Sequence, residues 1–234
     1  MRGDGPGDEH GRADGHGRVD GHGPGDEHGR GDERDGTHEA PAASPRVADA
    51  MRAVPRADFL PPAQRGNATQ DQALPLWQGS TCSQPSTVAA MLRLLDVPRG
   101  ARVLDVGAGS GWTTALLAWL VGPQGEVLGL ELEPQIAQWG AQNLERFVAQ
   151  HRAEVGRARL ERAEPRTVGR PRAGGWDRVL VSAAARTVPD VLVGMLADPG
   201  RLVLPVRSTM HLVVRADGQV SVSTHGSYAF VPLR

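Results

Sequence analysis

Residues 102–112 read Arg-Val-Leu-Asp-Val-Gly-Ala-Gly-Ser-Gly-Trp, an apolar run that breaks into three glycines spaced two apart. Glycines in such a turn let the backbone approach a ligand without Cβ clashes, and a helix starting there offers unpaired N–H groups. Gly107, Ala108, Gly109, Ser110 and Gly111 are therefore candidate ligand contacts. Dinucleotide enzymes share a turn of this kind, but their G-x-G-x-x-G fingerprint needs a glycine at 112, where this chain has Trp112. The acid two residues before the first glycine, Asp105, instead fits S-adenosyl-L-methionine. The next apolar run ends at Glu131, placed to take both ribose hydroxyls. The competing readings are a turn-stabilising carboxylate for Asp105 and a strand-end charge for Glu131; beside these glycines the cofactor reading is the stronger.

Those residues need a scaffold. Val47, Met51 and Val54 recur at helical spacing and stop at Pro55, and Pro85–Leu95 carries Val88, Met91, Leu92 and Leu95 on one face. Strands then alternate with helices. The strands are Arg102–Val106, Glu126–Glu131, Arg178–Ser182 and Arg201–Pro205; the helices are Thr113–Val121, Gln135–Ala149 and Pro189–Leu196. Met210–Arg215 and Val220–Thr224 flank Asp217-Gly218, a strong hairpin signal. This order predicts an α/β fold: a doubly wound, Rossmann-like sheet, mostly parallel, with an antiparallel C-terminal edge and helices on both faces.

Composition divides the 234 residues in two. Residues 1–44 hold eleven acids against five arginines, a net of −6, with almost no aliphatic side chains. So little apolar surface does not offset roughly 1–2 kcal/mol per residue of ordering entropy, and a disordered acidic, Gly- and His-rich tail is expected there. His10, His16, His22 and His28 recur every six residues. A metal-binding tract is one reading and a coding repeat without a task the other; the latter is favoured, since nothing fixes a coordination geometry. Residues 45–234 carry a net of +5, too diffuse to argue for nucleic acid, and form one domain. The lone Cys82 excludes an internal disulfide, and no CxxC metal pattern occurs. No apolar run reaches membrane-spanning length and no signal-peptide core is present, so a cytoplasmic protein without membrane or metal is expected, working as a monomer.

Several segments resemble one family. Val54-Pro55-Arg56, Phe59-Leu60-Pro61, Leu74-Pro75-Leu76 and Gly79-Ser80-Thr81-Cys82-Ser83-Gln84-Pro85 look like the N-terminal region of protein-L-isoaspartate O-methyltransferases. Trp176–Ala185 resembles their fourth strand and alanine loop, Pro199–Val206 the following strand, and Phe230-Val231-Pro232-Leu233 their closing segment. The likeness spans roughly residues 46–234. It implies a class I methyltransferase fold and methyl transfer from S-adenosylmethionine to the carboxylate of isoaspartyl residues in damaged proteins or peptides. A carboxylate is already ionised at neutral pH, so no metal or strong base is required.

The resemblance implies that Ser83, with Thr81 sharing the task, contacts the substrate carboxylate at a helix N-terminus that favours anions. The competing role for Ser83 is helix capping. Ser80, Ala183, Ala184 and His225 are candidate substrate contacts, with Tyr228 near them. Cys82 reads as a packed residue rather than a nucleophile. Two departures from the family stand out. Ser80 replaces its usual Gln, and its Gly-Asp-Gly adenine loop appears as Ala163-Glu164-Pro165, which leaves Glu164 as the adenine contact. Those changes keep two alternatives open: an aspartyl O-methyltransferase acting on a dedicated precursor peptide, and a cofactor-binding partner module without catalysis.

Overall fold

A computed structural model describes residues 44–234. Apart from Ser44, the expected tail over 1–44 and its histidine repeat lie outside the described residues. Ser44 accepts the Ala48 N–H and starts α1 (Pro45–Ala53). Two 3-10 turns follow, Arg56–Phe59 and Pro62–Asn67, and then a two-stranded hairpin of β1 (Leu74–Pro75) and β2 (Thr81–Cys82). The remaining elements are α2 (Pro85–Leu95), β3 (Arg102–Val106), α3 (Trp112–Val121), β4 (Glu126–Glu131), α4 (Pro134–Gln150), β5 (Arg157–Arg162), β6 (Trp176–Val181), α5 (Asp190–Gly194), β7 (Leu196–Val206), β8 (Thr209–Ala216) and β9 (Gln219–Ser227).

The main sheet runs β5-β4-β3-β6-β7-β8-β9, parallel as far as β7 and antiparallel from there to β9. Successive residues of its central strands enter opposite cores, as pleating dictates. Val103, Val127, Leu180 and Val203 join the core packed with residues of α1 to α4, while Leu104, Leu128, Val179 and Leu202 join the other. Among the described residues this second face receives one helix, the five-residue α5, through Leu192, together with the connection that contains Val168 and Leu233 near the C-terminus. Helices thus cover both faces as expected, but unequally: the β5–β6 connection carries Pro165, Gly169, Pro171, Gly174 and Gly175, which do not suit a helix.

Several elements differ from the sequence reading, three of them substantially. Strand β5 was not expected, α5 is shorter than Pro189–Leu196, and β7 begins at Leu196 rather than Arg201. Helix α3 is buried almost all round, which fits its nearly uninterrupted apolar sequence between sheet and α1. Strand order reverses between β3 and β6, since β4 and β5 lie to one side of β3 and β6 to the other. In a parallel sheet that reversal opens a crevice beyond the strands' carboxyl ends.

Candidate active site

The glycine turn leaves β3 at this crevice. The N–H groups of Gly107 and Ala108 both donate to the Leu130 carbonyl of β4, at 2.8 and 3.0 Å. The turn then needs φ values of +78° at Gly107 and +54° at Gly109, which side chains with a Cβ rarely adopt. Glu131, at the end of β4, is buried, and its carboxylate accepts the N–H of Gly109 at 2.9 Å and that of Glu133 at 3.0 Å.

Below the turn, Asp105 is fully buried. One carboxylate oxygen, Oδ2, accepts the hydroxyls of Thr113 and Thr114, both at 2.7 Å, and so ties β3 to the first turn of α3. The other, Oδ1, is buried without a hydrogen-bond partner. Burial raises the Asp105 pKa to about 6, against the two threonine bonds, and the nearby Glu131 charge raises it further.

Helix α4 braces the turn from behind. Gly111 and Gly140 meet backbone to backbone: a Cβ on Gly111 would lie 2.7 Å from the Gly140 carbonyl, and one on Gly140 would lie 2.4 Å from that of Gly109. One turn on, buried Asn143 donates to the Ser110 carbonyl at 3.0 Å. In an exposed helix, Gly→Ala stabilises by about 1 kcal/mol. At Gly140 the clash with backbone reverses the sign, and overpacking costs about 1–3 kcal/mol. Gly140→Ala is therefore expected to lower the melting temperature and to weaken cofactor binding together, checked by thermal melts and calorimetric titration.

Three cavities lie along this edge. The first is bounded by Gly107, Gly109, Glu131, Glu164 and Ala183, with Ser80 and Thr81 on the hairpin side and Val231–Arg234 closing it. The third runs past Ser83, Gln84, Thr87, Tyr228 and Phe230. Between them a smaller one touches Ser83, Ala108, Ser110 and Trp112. Thr81 and Ser182 line all three. The first carries the buried Glu131 carboxylate and the glycine turn in its lining. Its residues suit a nucleoside with ribose hydroxyls: a buried carboxylate, a glycine turn held open, and an orphaned carboxylate oxygen beneath.

The structure separates the expected site residues. Ser80, Thr81, Gly107, Gly109, Glu131, Glu164 and Ala183 border the first cavity; Ser83, Ala108 and Ser110 border the other two. Asp105 and Gly111 lie behind the turn and line none of the three. Ala184 lines none of the three: its N–H donates to Val231 at 2.7 Å and its carbonyl accepts Leu233 at 2.8 Å, which tethers the closing segment. His225 also lines none of the three. It sits on β9, where its Nε2 pairs with Ser223 Oγ at 2.9 Å, while the chain reaches the cleft at Ser227 and Tyr228. Sequence reasoning missed Ser182, the first residue after β6, and the C-terminal residues that wall the cleft. Arg234 there pairs with Glu133 at 2.8 Å.

Ser83 does not cap α2. The N-cap position falls on Gln84 without a side-chain cap, and Asp71 takes the Ser86 N–H at 2.9 Å. The Asp71 pKa is lowered by that bond, then by Gln84 and the Ser86 side chain.

The model of the protein-L-isoaspartate(D-aspartate) O-methyltransferase family matches residues 37–234. A protein-L-isoaspartate O-methyltransferase of Methanopyrus kandleri is 40% identical over 200 residues, covering 81% of this chain and 84% of its own. One from Aeropyrum pernix is 40% identical over 195 residues, 81% of this chain and 73% of that protein. Among solved structures, a Plasmodium falciparum protein-L-isoaspartate O-methyltransferase, crystallised with S-adenosyl-L-homocysteine, superposes with a TM-score of 0.68. It is 22% identical, over 82% of this chain and 91% of that one, a likeness of fold.

Proposed function

The chain belongs to the protein-L-isoaspartate(D-aspartate) O-methyltransferase family, and from that membership we propose that it transfers a methyl group from S-adenosylmethionine to the free carboxylate of isoaspartyl residues in proteins and peptides. The observation that carries the reading is the meeting, at Thr81 and Ser182, of a cavity lined by the glycine turn and the buried Glu131 with a groove lined by Ser83 and Gln84. Bound S-adenosylmethionine supplies a methyl group on a sulfonium, an electrophile that an ionised carboxylate attacks without a base. Glu131 takes the ribose hydroxyls, the Gly107–Gly109 turn admits the cofactor close to the backbone, and Glu164 lies where the adenine is expected. Thr81 and Ser83 hold the carboxylate by their hydroxyls and orient it. Alignment of this kind contributes roughly 7–11 kcal/mol at best. The mixed lining of the groove by Thr87, Gln84, Tyr228 and Phe230 suits an uncharged stretch of peptide.

Incubation with labelled S-adenosylmethionine and two peptides differing only in Asp versus isoAsp tests the reading. Label is expected on the isoaspartyl peptide alone. Transfer to the aspartyl peptide selects the precursor-peptide alternative, and cofactor binding without transfer to either selects the partner module.

Because Ser83 makes no capping bond, Ser83→Ala and Ser83→Gly are expected to leave the melting temperature nearly unchanged. Each loses a hydrogen bond to a charged group, about 1.5–3 kcal/mol, so kcat/KM for isoaspartyl peptide falls about ten- to a hundred-fold with cofactor affinity intact. Steady-state kinetics beside melts check this. Full activity in folded Ser83→Gly removes the residue from the site.

A further inference from the structure

Arg56, just after α1, is 5% exposed and packs over Trp112, 5.5 Å from the ring centroid. Its guanidinium donates to five main-chain carbonyls: Ala68 and Gln70 from Nη1, and Gln72, Cys82 and Ser83 from Nη2, the last three at 2.8 to 2.9 Å. Nε is buried without a partner. Among the described residues no carboxylate forms an ion pair with it. Carbonyl dipoles solvate a buried cation without cancelling its charge, and the Asp71 carboxylate feels that charge without forming an ion pair with it.

We infer that Arg56 is a positioning residue for the reaction proposed above, one that makes the Thr81–Ser83 segment selective for an ionised carboxylate over a neutral carboxamide. The geometry acts through two peptide groups. The carbonyls of Cys82 and Ser83 point at the guanidinium, so planarity turns the N–H groups of Ser83 and Gln84 away from it. No hydrogen bond among the described residues uses either N–H. Ser83 and Gln84 both line the groove where the substrate is placed. The cation therefore polarises these amides toward an incoming anion from one peptide's thickness away, where its charge is poorly screened. It does not touch the substrate. Its field reaches this segment: burial raises the Cys82 pKa, and Arg56 acts in the opposite sense.

The test compares binding of an isoaspartyl peptide with binding of the same peptide carrying a carboxamide in place of its free carboxylate. Both are titrated into the full chain saturated with S-adenosylhomocysteine. The wild-type protein is expected to prefer the carboxylate by about ten-fold or more. Arg56→Gln is expected to bring that ratio close to one. Arg56→Lys keeps the charge but not the fork that reaches five carbonyls, so both peptides bind more weakly while the ratio holds. A ratio near one in the wild type overturns the inference. So does an unchanged ratio in folded Arg56→Gln, or a ratio that collapses in Arg56→Lys, each of which leaves Arg56 a loop brace. If Arg56→Gln does not fold, Arg56→Met, which also removes the charge, is titrated in its place, and an unchanged ratio there overturns the inference as well. The inference rests on the proposed isoaspartyl reaction, whose own failure shows separately, as absent methyl transfer by the wild type.

Discussion

Glu131→Ala is expected to weaken S-adenosylhomocysteine binding about a hundred-fold or more, the loss of two hydrogen bonds to a charged group at about 1.5–3 kcal/mol each. The carboxylate is buried at the end of β4 and borders the cavity lined by the glycine turn. It also accepts the Gly109 and Glu133 N–H groups, so its removal leaves the glycine turn unbraced on the side that faces the ligand. Two orphaned backbone donors add a stability loss of about 1–3 kcal/mol each where water cannot reach them. Glu131→Gln separates the two contributions. One amide oxygen still serves Gly109 or Glu133, but the charge and one acceptor are gone, so affinity falls while the melting temperature moves less. Calorimetric titration of both variants beside thermal melts is the measurement. Unchanged affinity in Glu131→Ala would leave the carboxylate a brace of the turn and remove the cofactor from this cavity.

The central sheet was legible because its strands are buried on both faces and read as apolar runs. Strand β5 was not: Arg157–Arg162 places four charges on an edge and buries only Leu160, which resembles solvated loop more than strand. Those charges also protect the edge from pairing with another chain. The true start of β7 was hidden by Asp198-Pro199-Gly200. Within the site, the glycine turn and Glu131 were visible because one local segment holds each group and its spacing. Arg56 carries no such signal, since its partners come from residues 68, 70, 72, 82 and 83 and converge only in the fold. Gly140 was one glycine on an otherwise helical pattern; its contact with the turn belongs to the packing of α4. His225 lies outside the lining of the cavities because strand β9 continues to Ser227, past the expected end at Thr224, and keeps the imidazole on the sheet's outer strand.

Asp105 gives the second large effect, and its sign is opposite to that of a salt-bridged aspartate. Its pKa rises from 3.8 unfolded to about 6 in the folded protein, chiefly through burial. Between those values the folded state holds a proton that the unfolded chain has lost, so stability decreases as pH rises from about 4 to about 6. Above pH 6 the buried carboxylate is ionised and destabilises by about 3 kcal/mol relative to its protonated form. The Thr113 and Thr114 hydroxyls offset part of that burial cost, and both sit on Oδ2, leaving Oδ1 alone. Asp105→Asn keeps an acceptor for the two threonines but cannot titrate, and it places an amide donor where Oδ1 was unpaired. Denaturant unfolding of both proteins at pH 4, 5, 6 and 7 is expected to show the wild type losing about 2 kcal/mol relative to Asp105→Asn across that range, most of it between pH 4 and 6. A constant difference between the two would mean that Asp105 is not buried as a titrating carboxylate. The same variant reports on function. If Asp105 acts only by tying β3 to α3, cofactor affinity in Asp105→Asn stays close to wild type at pH 7; if its buried negative charge helps hold a cationic cofactor above the turn, affinity for S-adenosylmethionine drops more than affinity for S-adenosylhomocysteine, which lacks the sulfonium charge.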